Sequence, residues 1–405
     1  MDPIEPTMLA QSAGMLTLAQ RYQADFLCDL ETVVNIDSGT YTPAGAALVA
    51  DWLRPRFAAL GFTVTLHPGE KFGPQLLARK TGKGRTRVAI IGHMDTVFPD
   101  GEATQRRPFT LRDERAYGPG VFDMKGGLLI GLYALRLLHE AGDEPYAELT
   151  ILCNSDEEIG SPESRPLVEQ VARTADVALV LEPTNDVNRV TVARKGVGLY
   201  RLTVAGIAAH AGVEPKRGRS AILELSHRVI ALHALNGTIP GVTVNVGVVA
   251  GGERPNVVAD AAYAEIDVRA ADSAGVDAIE RALQAVAEAA PTVADTTTTL
   301  TGGFRHQPFT QSDRSAQLFA QAEEVGRTLG LALRGEPTGG ASDGNTTAAL
   351  GVATLDGLGP VGGLAHNPGE FVEVASIPQR IALLAGLLRR LGVTGPERPA
   401  AAMSV

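Results

Sequence analysis

The chain has 405 residues, 44% of them hydrophobic and 20% charged, with a formal net charge of −10 at neutral pH. Single cores seldom grow beyond about 250–300 residues, so this length implies more than one domain, and the acidic balance with no basic cluster argues against nucleic acid or an anionic membrane surface as partner. Two cysteines, Cys28 and Cys153, make no disulfide framework, and there is no apolar run near 18 residues and no basic start leading into an apolar core, so a cytoplasmic protein is expected.

In chain order, residues 10–34 and 41–60 carry apolar side chains at helical spacing, with Trp52, Leu53, Phe57 and Leu60 on one face of the second. Pro55 inside that pattern predicts a kink or break. Strand-like runs follow at 62–66 and 75–79. The apolar run 88–91 has the composition of a buried strand and delivers His93 and Asp95 at its carboxyl end, where open α/β sheets place their chemistry. Asp123 leaves a glycine-rich loop and opens a segment, DMKGGLLIGLYALRLLHEAG, that reads as a helix. The strand-like run 149–153 leads into Asp156, Glu157 and Glu158, the run 177–181 delivers Glu182, and residues 363–365 deliver His366. Strands alternating with helices predict an α/β layer with helices on both faces.

After Lys195 the texture changes. Residues 197–205 alternate like a strand, 220–235 read as a helix, 243–249 and 262–269 as strands, 274–289 as a helix and 296–300 as a strand. That order, β-α-β-β-α-β, is the split pattern of a ferredoxin-like α+β module. It interrupts the first domain, which resumes with a helix from about Asp313. The tail 394–405 is expected to be disordered.

Carboxylates mixed with imidazole suit zinc, and one bridging carboxylate can hold two ions roughly 3.5–4 Å apart. Each residue has an ordinary alternative: Glu157 and Glu158 as charges at a loop, Glu182 as a surface carboxylate, Asp123 as a helix cap. It is their joint occurrence at strand ends that points to a metal centre. His67, His139, His227, His233 and His306 lack such company. No Gly-x-Ser-x-Gly elbow is present, and Cys153 lies in a strand, so neither serine nor cysteine nucleophiles are expected. In GGASDGN, Asp343 reads as a helix N-cap, and Gly339 and Gly340 could let backbone amides approach a substrate.

The segments GHMDTVFPDG, GPGVFDMKGG, NSDEEIGS, LEPT, AAHAG and GGASDG, followed by His366, resemble in kind and order the M20 family of metallopeptidases, in particular its glutamate carboxypeptidase branch, with N-acyl amino acid deacylases as relatives. The resemblance spans nearly the whole chain. It implies a zinc-peptidase catalytic domain with a mixed sheet flanked by helices, at 1–196 and 306–393, and an inserted ferredoxin-like lid and dimerisation domain at 197–305. It further implies two Zn2+ per subunit, with Co2+ and Mn2+ accepting similar ligands. One ion falls to His93, Asp123 and Glu182 and the other to Asp123, Glu158 and His366, with Asp123 bridging and a cis peptide after it. Glu157 becomes the general base, and Asp95 the acceptor of the second imidazole N–H of His93. His210 is expected to reach the neighbouring subunit's site in a homodimer. Asn256, Arg269 and Arg305 would contact substrate, although the segment around Arg305 departs from the carboxypeptidase pattern. The implied substrate is a small peptide or N-acyl amino acid, cut at an amide next to a free carboxylate. A catalytically silent, peptide-binding relative is the alternative outside the enzyme class, and it predicts a lost ligand or a lost base.

Overall fold

The computed structural model describes residues 6–394. They fall into two compact units: residues up to 193, 311–337 and from 342 onward form the first, and 194–310 with 338–341 the second. Of the tail expected at 394–405, only Thr394 lies among the described residues, and it closes a helix.

The first unit opens with α1 (Pro6–Arg21), α2 (Gln23–Val34) and α3 (Pro43–Ala59), then β1 (Thr63–His67), β2 (Gln75–Thr81) and β3 (Arg87–His93). Next come the short β4 (Thr110–Arg112) and β5 (Arg115–Tyr117), then α4 (Gly126–Glu140), β6 (Glu148–Asn154), α5 (Arg165–Thr174), β7 (Val177–Val180) and β8 (Arg189–Arg194). The second unit holds β9 (Gly196–Ala205), α6 (Ala221–His233), β10 (Thr243–Gly251), β11 (Ala261–Ala270), α7 (Ser273–Glu288) and β12 (Thr297–His306). The chain then adds α8 (Asp313–Thr328), β13 (Arg334–Thr338), α9 (Asp343–Ala349) and β14 (Ala353–Leu355). It ends with β15 (Gly362–Gly363), β16 (Phe371–Glu373) and α10 (Ile377–Thr394).

The main sheet of the first unit runs β1-β2-β6-β3-β7-β14. β6, β3, β7 and β14 are parallel, and β2 and β1 add antiparallel to one side, so the sheet is mixed. A parallel strand covered on both faces must be apolar throughout, and β3 is buried from Val88 to His93. Because β3, β6 and β7 run the same way, their carboxyl ends share one edge. His93, the segment after Asn154 and Glu182 therefore converge there.

Pro55 does not break its helix: α3 is continuous from Pro43 to Ala59. The proline sits on the exposed side, where the backbone carbonyl left without a helical donor is open to water. The next residue, Arg56, donates from its side chain to the Trp52 carbonyl at 2.9 Å and lies 3.4 Å from the Trp52 ring centre.

Arg380, on α10, is fully buried. Its Nε donates to the Gly359 carbonyl at 2.9 Å, one terminal nitrogen donates to the Gly357 carbonyl, and the other lies 3.4 Å from the carbonyls of Val187 and Arg189. Burial lowers its pKa to about 10, so the guanidinium stays charged at neutral pH. It clamps the loop that leads through β15 towards His366.

The cap of α9 is Ser342 rather than Asp343. The Ser342 hydroxyl accepts from Gly344 N at 3.0 Å and donates to Asp356 Oδ2 at 2.5 Å, while Asn345 returns a bond to Ser342 N. Asp343 is the first helical residue and points into a buried polar cluster, accepting from Asn154 Nδ2 at 2.6 Å and Ser161 Oγ at 2.7 Å. A lost N-cap costs about 1–2 kcal/mol, so Ser342→Ala is expected to lower stability by that amount in urea unfolding. An unchanged midpoint would contradict this reading of the cap.

The second unit is a four-stranded antiparallel sheet, β10-β11-β9-β12, with α6 and α7 packed on one face. Tyr200, Leu202 and Val204 alternate inward on β9, as do Ala262, Ala264, Ile266 and Val268 on β11. β12 outruns its expected end because its backbone keeps pairing with β9 through Gly302 and Gly303, which hide the alternation. Within the helical layer, Glu224 Oε1 lies 2.7 Å from Arg228 Nε. Arg228 also donates to the carbonyls of Val286 and Ala289, tying α6 to the end of α7.

Candidate metal centre

His93, the last residue of β3, is buried beneath the carboxyl edge of the main sheet. Its Nε2 lies 3.1 Å from Asp123 Oδ1, 3.6 Å from Glu182 Oε1 and 3.9 Å from Glu157 Oε2. On the other side of Asp123, His366 Nε2 lies 3.3 Å from Asp123 Oδ2 and 3.1 Å from Glu158 Oε2. Asp123 thus turns one carboxylate oxygen to each imidazole. Two groups result, His93–Asp123–Glu182 and Asp123–Glu158–His366, each with ligand atoms within 4.8 Å of one another.

The backbone around Asp123 explains how it serves both groups. The sequence pattern places a helix start at Asp123, but α4 begins only at Gly126. Asp123 and Met124 are non-helical, at φ −118°, ψ 98° and φ −133°, ψ 38°, and the bond between them is cis. Gly120 turns the chain at φ +71°, where a Cβ would stand 2.5 Å from Thr96 Cγ2. Gly127 brings α4 against the strand end that carries Glu182, since a Cβ there would stand 2.2 Å from the Leu181 carbonyl oxygen.

Asp95 lies against the second imidazole nitrogen of His93 and also holds the turn that carries Glu157. The Nδ1 of His93 meets the backbone carbonyl of Asp95 at 2.9 Å, with the Asp95 carboxylate at 3.5 Å. The carboxylate also accepts from Glu157 N at 3.2 Å, Glu158 N at 3.3 Å and the Thr40 hydroxyl at 2.7 Å. The orphan amides of the short turn Glu157–Ile159 thereby find an acceptor. The imidazole tautomer is still fixed, through main chain.

Glu370 was not legible as a site residue. It is wholly buried, and its carboxylate accepts from Gly120 N at 3.1 Å, Phe122 N at 2.8 Å and Asp123 N at 2.8 Å. Burial pushes its pKa up to about 7, against the three donors, which pull it down.

The electrostatics call for positive charge. None of Asp123, Glu157 and Glu158 is paired with a lysine or arginine among the described residues. Burial raises the Glu157 carboxyl well above its usual range, and the neighbouring Glu182 adds to the shift. Burial raises Glu158 too, and its Oε1 is buried without a hydrogen-bond partner. Asp123 resists burial and falls below the carboxylate range because both imidazoles bond to it. His366, bonded to Asp123 and Glu158, is raised to about 10. The residues fit divalent metal: tetrahedral ligands at zinc distances stand about 3.4 Å apart, close to the 3.1–3.6 Å separations within each group.

The remaining expected site residues belong to the second unit. His210 is exposed, and its Nδ1 accepts from Gly212 N and Val213 N, both at 3.1 Å, which leaves Nε2 to carry the proton of the neutral ring. Its strand segment bridges Val257, and Ala211 N donates to the Asn256 carbonyl at 2.9 Å, so His210 and Asn256 sit on adjoining loops. Arg269 is gripped by Asp267 through two bonds of 2.8 Å, which compete with any substrate carboxylate. Arg305, at a bulge in β12, lines an open hollow of about 400 Å³ on the sheet face with Arg201, Glu265 and Asp267. Gly339 and Gly340 are exposed, and a Cβ at either would meet no protein atom closer than 3.8 Å.

Residues 89–390 match the model of peptidase family M20/M25/M40. The chain is 32% identical over 397 residues to carboxypeptidase G2 of Pseudomonas sp. (strain RS-16), covering 95% of this chain and 94% of that protein. It is 28% identical over 377 residues to acetylornithine deacetylase of Myxococcus xanthus, covering 88% and 94%. Among solved structures, a tripeptidase from Staphylococcus aureus subsp. aureus mu50 superposes with a TM-score of 0.78 at 22% identity, covering 91% of this chain and 98% of that one, which speaks for the fold alone.

Proposed function

Because the chain belongs to peptidase family M20/M25/M40 and is a metallohydrolase of that family, we propose that it uses two zinc ions to cleave an amide next to a free carboxylate, as a glutamate carboxypeptidase-type exopeptidase. The observation that carries this reading is the pair of ligand groups sharing Asp123, with Glu157 beside them but in neither. When bound, two such ions supply Lewis acidity, which polarises the scissile carbonyl and makes water acidic enough to ionise near neutral pH. Glu157 takes the proton of the attacking water on its carboxylate and delivers it to the departing amide nitrogen. Asp95 holds the Glu157–Glu158 turn by its amides, so the carboxylate that moves the proton and the one that binds stay in register. Cleavage of N-acyl amino acids is the nearest alternative, supported by the acetylornithine deacetylase relative. A hydrolysis screen of acyl-glutamates, dipeptides and acetylated amino acids, with Glu157→Ala as the blank, separates the two. Turnover of acetylated amino acids alone would overturn the carboxypeptidase assignment.

The reading includes a homodimer through the second unit. β10 is an edge strand with Val248 and Val249 exposed, and the adjoining α6 exposes Leu223 and Ile230. The opposite edge, β12, presents Thr297, Thr299 and Thr301 instead. An isologous contact across β10 and α6 covers that apolar surface. In such a dimer the Nε2–H of His210 donates to the oxyanion in the partner's site, a contact whose loss costs about 10²–10³-fold in kcat. Mixing Glu157→Ala and His210→Ala chains is expected to restore activity, since one mixed site then holds both groups. No recovery after subunit exchange would exclude the cross-subunit role.

A further inference from the structure

We propose that Glu370 is a positioning residue for both ligand groups: it ties the loop that carries His366 to the loop that carries Asp123, and so sets the spacing that two divalent cations require. The inference rests on the di-metal reading above. Side-chain packing does little to place His366, whose side chain is 53% exposed. Its position comes from the main chain, which turns through left-handed conformations at Leu364 (φ 61°) and His366 (φ 62°). The turn closes on itself: Asn367 N donates to the Leu364 carbonyl, Gly369 N to Asn367 Oδ1, and Glu370 N to the Asn367 carbonyl. Such a turn is rigid inside but needs anchoring to the rest of the fold. One anchor is Arg107, which donates to the Pro368 carbonyl at 2.7 Å. The other is Glu370, four residues beyond His366, whose carboxylate is buried under the Gly120–Asp123 turn.

The atoms at the second anchor are specific. Glu370 Oε1 accepts from both Phe122 and Asp123, and Oε2 accepts from Gly120. A carboxylate alone supplies acceptors on both oxygens, as three N–H donors spread over the two require. Glutamine keeps one acceptor and turns a donor NH2 towards a donor N–H, in either orientation of the amide. Immediately after Glu370 the chain enters β16, which pairs Phe371 with Tyr117 and Val372 with Ala116 on β5. The side chain and the strand together lock the His366 turn to the segment leading into Asp123. Since Asp123 belongs to both groups, loosening it weakens both ions, whereas loss of His366 weakens one.

The test uses the full chain as wild type, Glu370→Gln, Glu370→Asp and His366→Ala. Zinc affinity is measured by competition with a chromogenic chelator, the cobalt-substituted absorption spectrum is recorded, kcat and KM are separated, and thermal unfolding is followed in EDTA. Glu370→Gln is expected to bind both zinc equivalents about 10–100-fold more weakly, with an altered cobalt band and a fall in kcat rather than a rise in KM. Its unfolding in EDTA should remain a single cooperative transition, lowered only by the bond lost at the Gly120–Asp123 turn, and His366→Ala should lose affinity at one equivalent only. Two zinc ions bound to Glu370→Gln at wild-type affinity with an unchanged cobalt spectrum would overturn the proposal. Weakened binding that merely tracks a collapse of the EDTA-treated fold would overturn it too. If Glu370→Gln does not fold, Glu370→Asp, which keeps the charge on a shorter arm, decides by the same criteria. A wild-type chain that binds no zinc contradicts the metal reading itself, a result distinct from any failure confined to Glu370.

Discussion

Replacing Glu157 with glutamine is expected to lower kcat by about 10²–10⁴-fold while leaving the metal content of the protein at the wild-type level. Glu157 belongs to neither ligand group, and its Oε2 stands 3.9 Å from His93 Nε2, beyond hydrogen-bond reach. Its surroundings suit proton transfer: its side chain, only 13% exposed, stands beside both groups, and Asp95 fixes its main chain. Glutamine has nearly the same shape and the same amide bond to Asp95, so the site should assemble without the group that accepts the proton. Single-turnover rates on an acyl-glutamate, paired with zinc determination on the same sample, give the result. Loss of metal along with rate would make Glu157 a ligand, and an unchanged rate would remove it from the chemistry.

Arg380→Ala is expected to destabilise the fold by about 3–5 kcal/mol, read as a lower urea midpoint at constant slope. The guanidinium satisfies buried carbonyls of Gly357 and Gly359 and lies near those of Val187 and Arg189. Truncation leaves those acceptors without donors in a place water does not reach, along with a cavity. Arg380→Lys, with a single ammonium for the same carbonyls, should recover part of the loss but not all, because lysine cannot reproduce the planar fork. A midpoint within error of wild type for Arg380→Ala would show that the loop closes without it.

Much of the candidate metal centre was legible because its residues follow runs whose periodicity is local. β3 reads as a buried strand from Val88 to Ile91, and its last residue, His93, falls at the edge where parallel strands end together. Glu158 and Glu182 follow β6 and β7 in the same manner. What was not legible depends on bonds between distant segments. Glu370 holds amides about 250 positions away, and no spacing rule marks a glutamate in such a turn. That the carboxylate of Asp95 also accepts from the amides at the start of the Glu157 turn, which are unsatisfied within it, could not be read from a residue about sixty positions away. Asp343 has the composition of a cap, yet Ser342 precedes it in extended backbone and takes that place, leaving the aspartate to Asn154 and Ser161. Nor was the partner of Arg269 read from the sequence: Asp267, two residues away on one face of β11, is close enough for a bidentate pair.

The most direct test of the di-metal account is activity after metal removal. The purified protein is treated with a strong chelator, passed free of it, and assayed on an acyl-glutamate while zinc is returned in measured equivalents. The account predicts that activity is abolished by chelation and restored as zinc approaches two equivalents per chain, in keeping with two ligand groups that share Asp123. Full activity after thorough chelation, with no response to added zinc, would contradict it.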